Sequence, residues 1–435
     1  MKPELVISCP ATSRSGYGDH SRDIIRSFIA MDKFNVKVLD QVWGGCPRNS
    51  LTSGKDDDII SRLITSLNAK PNVWVQITVP NEFQPVGEYN IGITAGMETD
   101  LVSAEWVAGC NRMNMIIVPS EHSKFAFENT IYDQTDKNSG NVTGQLKVEK
   151  PVHVLFEGLD TNVFNKISEK EFKKESSVLI DSMKDIKEDY CFLFVGHWLQ
   201  GEFGHDRKDI GGLIQTFIHS FKDKSLKNQP ALILKTSSAT YSIKDREEIL
   251  KKINTIKSYF RGVRVPPIYL LHGDVEQNDL NRLYNHPKVK AMVSFTHGEG
   301  FGRPLLEFGM TGKPVIASNW SGHVDFISEY GIGLPGELKQ VHKSAVWDKV
   351  IIPESKWFYV NYGAASNILK ECHSNYKDIN KQTRKQTQYI KDNFTIEKMN
   401  EVFANLIKDN VPQFSVQVPL KLPKLPKLKK VGTKV

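Results

Sequence analysis

Cysteine is scarce in this chain: five in 435 residues, at Cys9, Cys46, Cys110, Cys191 and Cys372, widely spread and with no C-x-x-C pair. That spacing excludes a zinc ribbon, a redox couple and a disulfide-stapled miniature fold, and it predicts reduced, mostly buried thiols. Long apolar runs are missing too, since none approaches the roughly 18 residues of a membrane span. The opening MKPELVISCPATS is apolar only briefly before Pro10, too short for the core of a signal peptide. A cytoplasmic protein is the expectation.

A basic body is also lacking. The formal charge is +7, but Lys421, Lys424, Lys427, Lys429, Lys430 and Lys434 stand in the last fifteen residues with no acid among them. Removing those six from the 57 basic residues leaves 51 against 50 acids. A protein that works on phosphate backbones carries a basic face on its folded domains, so nucleic acid is not an expected partner. The tail, residues 411–435, repeats Leu-Pro-Lys. Proline bars a helix and the lysines repel, which predicts disorder. Its other reading is weak peripheral contact with an anionic membrane surface, to which each basic residue contributes about 1 kcal/mol.

What remains is ordinary globular composition, 40% hydrophobic and 25% charged, over a length that suits two or three domains. Short β-rich runs at 4–8, 36–39, 73–79, 90–94, 115–118 and 152–155 alternate with helical patterns, such as the apolar face of Ile24, Ile25, Phe28 and Ile29. Residues 131–150 lose periodicity and read as a surface excursion. A second alternation runs through 191–195, 231–235, 268–271, 289–294 and 314–317, with helices near 210–221, 244–259, 278–284 and 303–310. The economical reading is α/β, with two doubly wound, Rossmann-like domains facing across a cleft. After Pro353 the strands are expected to stop and helices to follow. The predicted boundaries are 1–165, 166–355, 356–410 for C-terminal helices, and 411–435 for the tail.

The strongest local signal is THGEGFGRPLLEFGMTGKPVIAS at 296–318, which follows a predicted strand and opens a helix at Pro304, a residue pre-set for a first helical position. Gly300 and Gly302, just before that start, would let an anion approach free backbone N–H groups and the positive end of the helix dipole. Glu299 and Glu307, eight positions apart, can face one crevice. Glu307 sits among Leu305, Leu306 and Phe308, where a carboxylate needs partners, and two vicinal ribose hydroxyls would serve.

EGFGRPLLE resembles the paired-glutamate pattern, E-x7-E, of the family-4 glycosyltransferases, the glycosyl transferases of group 1. The resemblance extends through SGYGDHS, IIVPSEHSK, EGLDTNVF, FVGHWLQGEFGHDRKDIGG and LLHGDVEQNDLNRLY, in order, over residues 5–330. It implies a GT-B architecture and an enzyme that moves a hexose-type sugar from a nucleoside diphosphate sugar to a glycan, lipid or protein acceptor, retaining the anomeric configuration and needing no metal or other cofactor. Within that implication Glu299 and Lys208 are the catalytic residues, the first beside the donor sugar and the second at the diphosphate. Donor binding falls to Gly16, Gly18, His197, Arg207, Lys208, Lys235, Val275, Gly300, Phe301, Gly302, Arg303, Pro304 and Glu307.

The chain departs from the family at two places. His197 stands where many members carry arginine, and a neutral histidine offers one hydrogen bond rather than a charged fork. Lys235 is a candidate for the missing charge. Gly96 and Glu98 stand where many relatives carry a first-domain histidine. Lesser cleft candidates are His20, Glu121 and His122. Two other readings follow from the same pocket: a nucleotide-sugar epimerase of GT-B fold, and a nucleotide-sugar binding protein that has lost catalysis.

Overall fold

The computed structural model describes residues 2–136, 138–174, 177–225, 228–238, 241–327 and 330–414. Its first half runs β1 (Glu4–Cys9), α1 (Gly16–Met31), β2 (Asn35–Asp40), α2 (Asp57–Ile60), β3 (Leu63–Ile64), β4 (Val73–Ile77), β5 (Tyr89–Ile93), α3 (Ala104–Asn111), β6 (Met115–Val118), α4 (Glu121–Asn129), β7 (Ile131–Thr135), β8 (Val142–Lys147) and β9 (Val152–Val154). Seven of these strands form one parallel sheet in the order β3-β2-β1-β4-β5-β6-β9. Its central strands are buried on both faces, as the continuous apolar runs require.

The second half runs α5 (Glu169–Phe172), α6 (Val178–Ser182), β10 (Cys191–His197), α7 (Ile210–Phe221), β11 (Ala231–Ser237), α8 (Ile243–Ser258), β12 (Ile268–Leu271), α9 (Gln277–Asn285), β13 (Val289–Ser294), α10 (Arg303–Gly309), β14 (Val315–Ser318), α11 (Val324–Ile327) and β15 (Ile332–Leu334). Six strands build a second parallel sheet, β12-β11-β10-β13-β14-β15. Each half thus begins at the middle of its own sheet and reverses direction beside that first strand, between β1 and β4 and between β10 and β13. Such a reversal opens a crevice at the carboxyl ends of the strands, where α/β sheets take their ligands. The expected pair of doubly wound, Rossmann-like domains of GT-B type is the architecture found.

Three regions differ from the sequence expectation. Within 131–150, β7 pairs antiparallel with β8, with a register shift between Gln134 and Thr135, and the residues of both strands are mostly exposed. Strands do not end at Pro353, because β16 (Gly336–Gln340) pairs antiparallel with β17 (Lys356–Val360) and frames an arm, residues 336–360. The C-terminal helices α12 (Tyr362–Ser374), α13 (Tyr376–Asn393) and α14 (Ile396–Asn410) are present, but they do not stay together. Cys372 and Leu369 of α12 join the core on one face of the second sheet, and Ile390 of α13 joins the core on the other. Met399, Phe403 and Ile407 of α14 cross back into the first half's core beside Ile24 and Phe28. Val411 and Phe414 also pack there, while residues 415–435, most of the predicted tail, lie outside the described residues.

The five cysteines are free thiols, four of them buried. No helix among the described residues is long and apolar enough to cross a membrane.

Candidate active site

The loops that follow β10 and β13, neighbours in the second sheet, face each other at the carboxyl edge. Residue Asp209 ends the first loop in the left-handed region (φ 46°) and caps α7, accepting from the Gly212 N–H at 3.0 Å and the Tyr362 hydroxyl at 2.6 Å. The second loop is tied to the first through its backbone: the His297 N–H donates to the Arg207 carbonyl at 2.9 Å. The buried His297 ring reaches further, with Nδ1 2.7 Å from the Phe358 carbonyl and Nε2 3.2 Å from that of Gly204. These ties set Lys208 directly against Glu299.

The Lys208 ammonium and the Glu299 carboxylate form a buried ion pair, and Arg207 Nη1 lies 3.7 Å from the other Glu299 oxygen. Arg207 also donates to Glu98 of the first half at 2.9 Å. Burial works to raise the Glu299 carboxyl, but Lys208 and Arg207 together outweigh it and hold the group below its ordinary value. For Lys208 burial dominates and lowers the ammonium, with Glu299 opposing. Glu299 is fixed from behind as well, since its N–H donates to Ser321 Oγ at 2.9 Å and the buried His323 packs beneath it against Gly302. Lys208 and Glu299, both expected to be catalytic, are thus in contact with each other.

The second glutamate has a different setting. Arg303 is buried at the seam between the halves, with Nη2 2.8 Å from Asp23, Nη1 3.6 Å from Glu157 and Nε 3.5 Å from Glu307. Asp19 acts on the same guanidinium and is itself paired with Arg22, so two cations face four carboxylates. Burial and the surplus of carboxylates raise Asp23, Glu157 and Glu307. Burial, then Asp19 and Glu157, raise Glu307 to about 8 against the opposing Arg303, and burial with Asp23 raises Glu157 to about 7. The Tyr284 hydroxyl donates to Glu307 at 3.1 Å.

Several predicted donor contacts occupy other places. A Cβ built on Gly300 would sit 2.0 Å from the Ala95 carbonyl oxygen, and the Gly300 carbonyl accepts from Ser120 Oγ at 2.6 Å. The close backbone approach expected for a phosphate is made here to the first half. Gly302 does lie in the left-handed region (φ 96°) as the N-cap of α10, and Pro304 falls in that helix's first turn. The Phe301 ring is core, 5.1 Å from Phe326, and leaves only its backbone for a ligand. Arg303 is occupied by the acids just described. Gly16 opens α1 with free space around its Cα, whereas Gly18 is small because a Cβ would meet the Ser13 carbonyl at 2.1 Å.

His197 Nδ1 lies 3.0 Å from the Ser238 carbonyl, which can only accept, so Nδ1 carries the proton. Burial, then Arg207 and Lys235, lower this histidine, and the neutral ring offers Nε2 as an acceptor rather than a donor. Lys235 Nζ is held by the Gly273 carbonyl at 2.7 Å, where it braces the loop that carries the half-buried Val275. Of the lesser candidates, His20 is buried and lowered to about 3, and His122 packs edge-on to Trp320 at 4.5 Å. Exposed Glu121 meets the second half through its N–H, which donates to Asp325 at 3.0 Å. Sequence reasoning missed Asp23, Glu157, Tyr284, His297 and His323. Glu157, Tyr284 and His297 stand within the motifs quoted above, whereas Asp23 and His323 lie outside them.

Two parallel, doubly wound sheets with a crevice at their carboxyl edges are the GT-B arrangement. Residues 268–345 match the family described as glycosyl transferases group 1, and the chain carries a domain of that family. Among solved structures, the chain is similar to a glycosyltransferase from Rickettsia africae (TM-score 0.59, 14% identity, 94% of this chain and 98% of that one). It is similar also to Anabaena HepE in complex with UDP-glucose (0.56, 13%, 94% and 100%) and to sucrose-phosphate synthase from Thermosynechococcus elongatus (0.60, 11%, 94% and 99%). At these identities the likeness is one of fold. The sequence matches no curated protein.

Proposed function

We propose that this group 1 glycosyltransferase moves a hexose-type sugar from a nucleoside diphosphate sugar to a glycan, lipid or protein acceptor, with retention of configuration. The observation that carries the reading is the Lys208–Glu299–Arg207 cluster at the crevice. As the glycosidic bond to the diphosphate breaks, negative charge grows on the leaving oxygen, and a preorganised cation in a water-poor site stabilises that charge without reorganising. Lys208 is that cation, and the paired Glu299 keeps it charged and aimed although burial disfavours the ammonium. Glu299 itself faces the positive charge that develops on the sugar. Glu307, buried among Arg303 and Tyr284, is placed to accept from ribose hydroxyls.

Because HepE was solved with UDP-glucose, that donor heads a panel of nucleotide sugars to be screened by calorimetry, followed by acceptor-dependent nucleotide release. Proton NMR of the first-formed glycoside then reads the anomer, and inversion would remove the mechanism. A new sugar nucleotide formed without acceptor would indicate epimerisation. Tight donor binding with no turnover would indicate a binding protein.

A further inference from the structure

The arm at 336–360 leaves the second half and reaches the first. The Ser103 hydroxyl donates to the Lys349 carbonyl at 2.9 Å, and Asp100 and Lys356 exchange hydrogen bonds of 3.0 and 2.6 Å. Near the arm's tip Trp347 and Ile351 pair backbone to backbone around Lys349, whose φ is 62°. A cavity of about 230 Å³ lies under this arm, lined from the first half by Tyr17, Trp43 and Glu98 and from the second by Arg207, Trp347 and Trp357. Its aromatic walls are organised: Tyr17 and Trp43 lie 4.1 Å apart, and the buried Trp357 stacks on His297 at 4.7 Å. Trp347 is 53% exposed, an indole left uncovered at the mouth although Ala345 and Ile351 beside it are buried.

We propose that this cavity is the acceptor subsite and that it takes a pyranose ring of a carbohydrate acceptor. The inference deepens the glycosyltransferase reading and rests on it. Three features select a sugar. The C–H faces of a pyranose are apolar and flat, matching indole surfaces, while its equatorial hydroxyls need the charged donors and acceptors that Arg207 and Glu98 supply at 2.9 Å from each other. The volume is below that of a drug-sized pocket, room for one ring rather than a lipid chain or a folded peptide. Arg207 ties the cavity to Glu299 at 3.7 Å, so a hydroxyl of a ring bound here is adjacent to the reacting centre. The matched family segment ends at residue 345, and Trp347 and Trp357 lie beyond it.

The test uses the full chain and simple methyl glycosides of glucose, galactose, mannose and N-acetylglucosamine as probes. Saturation-transfer NMR should show contact from ring C–H protons of at least one, with millimolar affinity. Trp347→Ala should weaken that binding at least about tenfold, the worth of roughly one aromatic face, and Trp347→Phe should restore part of it. Trp347 is exposed and carries none of the core, and unchanged binding of UDP or GDP by calorimetry controls for loss of fold. If no glycoside shows contact, if contact survives both Trp347→Ala and Trp43→Ala, or if decyl phosphate competes for the site instead, the subsite assignment is overturned. Nucleotide binding is read independently of the glycosides. Failure of UDP, GDP and all nucleotide sugars to bind, with glycoside contact intact, would instead sink the glycosyltransferase reading.

Discussion

Neither Lys208 nor Glu299 is stable as a charge alone at its depth, because a buried ion left without its partner costs several kcal/mol. Each holds the other in the state that the chemistry needs. Glu299→Gln is expected to lower kcat at least about 100-fold, the scale of removing a preorganised electrostatic group, while affinity for free nucleoside diphosphate falls by less, through Lys208 losing the carboxylate that keeps it charged. Steady-state kinetics and calorimetry check this, and loss of nucleotide binding would place Glu299 on the wrong side of the donor. Glu307 makes a pH-dependent prediction. Its folded value is about 8 against an ordinary 4.5, so between those pH values the folded state holds a proton that the unfolded chain has lost. The linked stability is complete below about 4.5 and disappears as pH rises through 8. From pH 5 to 8 the melting temperature of Glu307→Gln should therefore gain on that of the wild type, and parallel curves would remove the assignment. Ribose hydroxyls donating to Glu307 favour its carboxylate, so donor binding at pH 7 should release a proton in the wild type and not in the mutant, read by calorimetry in buffers of different ionisation enthalpy.

At the scale of elements, legibility followed burial. Strands β6 and β13 lie at the residues their apolar runs indicated, because a parallel strand buried on both faces has no polar alternation to blur it. The β16 strand, GELKQ, is exposed along its whole length, and so the arm that carries Trp347 left no mark in the sequence. Lys208, Glu299, Arg303 and Glu307 were picked out as candidates through local motifs, but the burial of Arg303 against Asp23 and Glu157 was not, since those partners lie in distant segments. C-terminal helices were expected, yet nothing local says which half α14 covers. Phe403 answers that, with its ring 4.8 Å from Phe28 of α1 in an edge-on contact. Phe403→Ala should cost about 3 to 5 kcal/mol as a cavity in the first half's core. Thermal unfolding should show a lowered transition, and hydrogen exchange should place the loosening at α1 and β1 rather than in the second sheet. Loosening confined to the second half would contradict the crossing.

The whole molecule is held at a seam where backbone meets backbone. Gly298 and Gly300 approach the first half so closely that side chains there would meet the Glu98 and Ala95 carbonyls at 1.9 and 2.0 Å. Around them Arg303 pairs with Asp23, Arg207 with Glu98 and Arg14 with Asp274, all across the cleft. This seam aligns residues of both halves on one reaction, and Gly300 tests it cleanly. Its φ is not among the positive values, so alanine adds no backbone strain within its own half. The added methyl is felt only across the seam. Gly300→Ala should therefore wedge the halves apart, raising the radius of gyration in solution scattering, while nucleoside diphosphate binding, which draws on the second half, stays within about threefold. Transfer should fall at least about 100-fold, because a misplacement of about 1 Å between reacting groups costs that much. Ser120→Ala removes the hydrogen bond to the Gly300 carbonyl and also the N-cap of α4, where Ser120 Oγ accepts from the Ser123 N–H at 3.2 Å, so it should cost about 1 to 3 kcal/mol in all. Unaltered scattering and kinetics in Gly300→Ala would mean that the halves turn over without meeting along this contact.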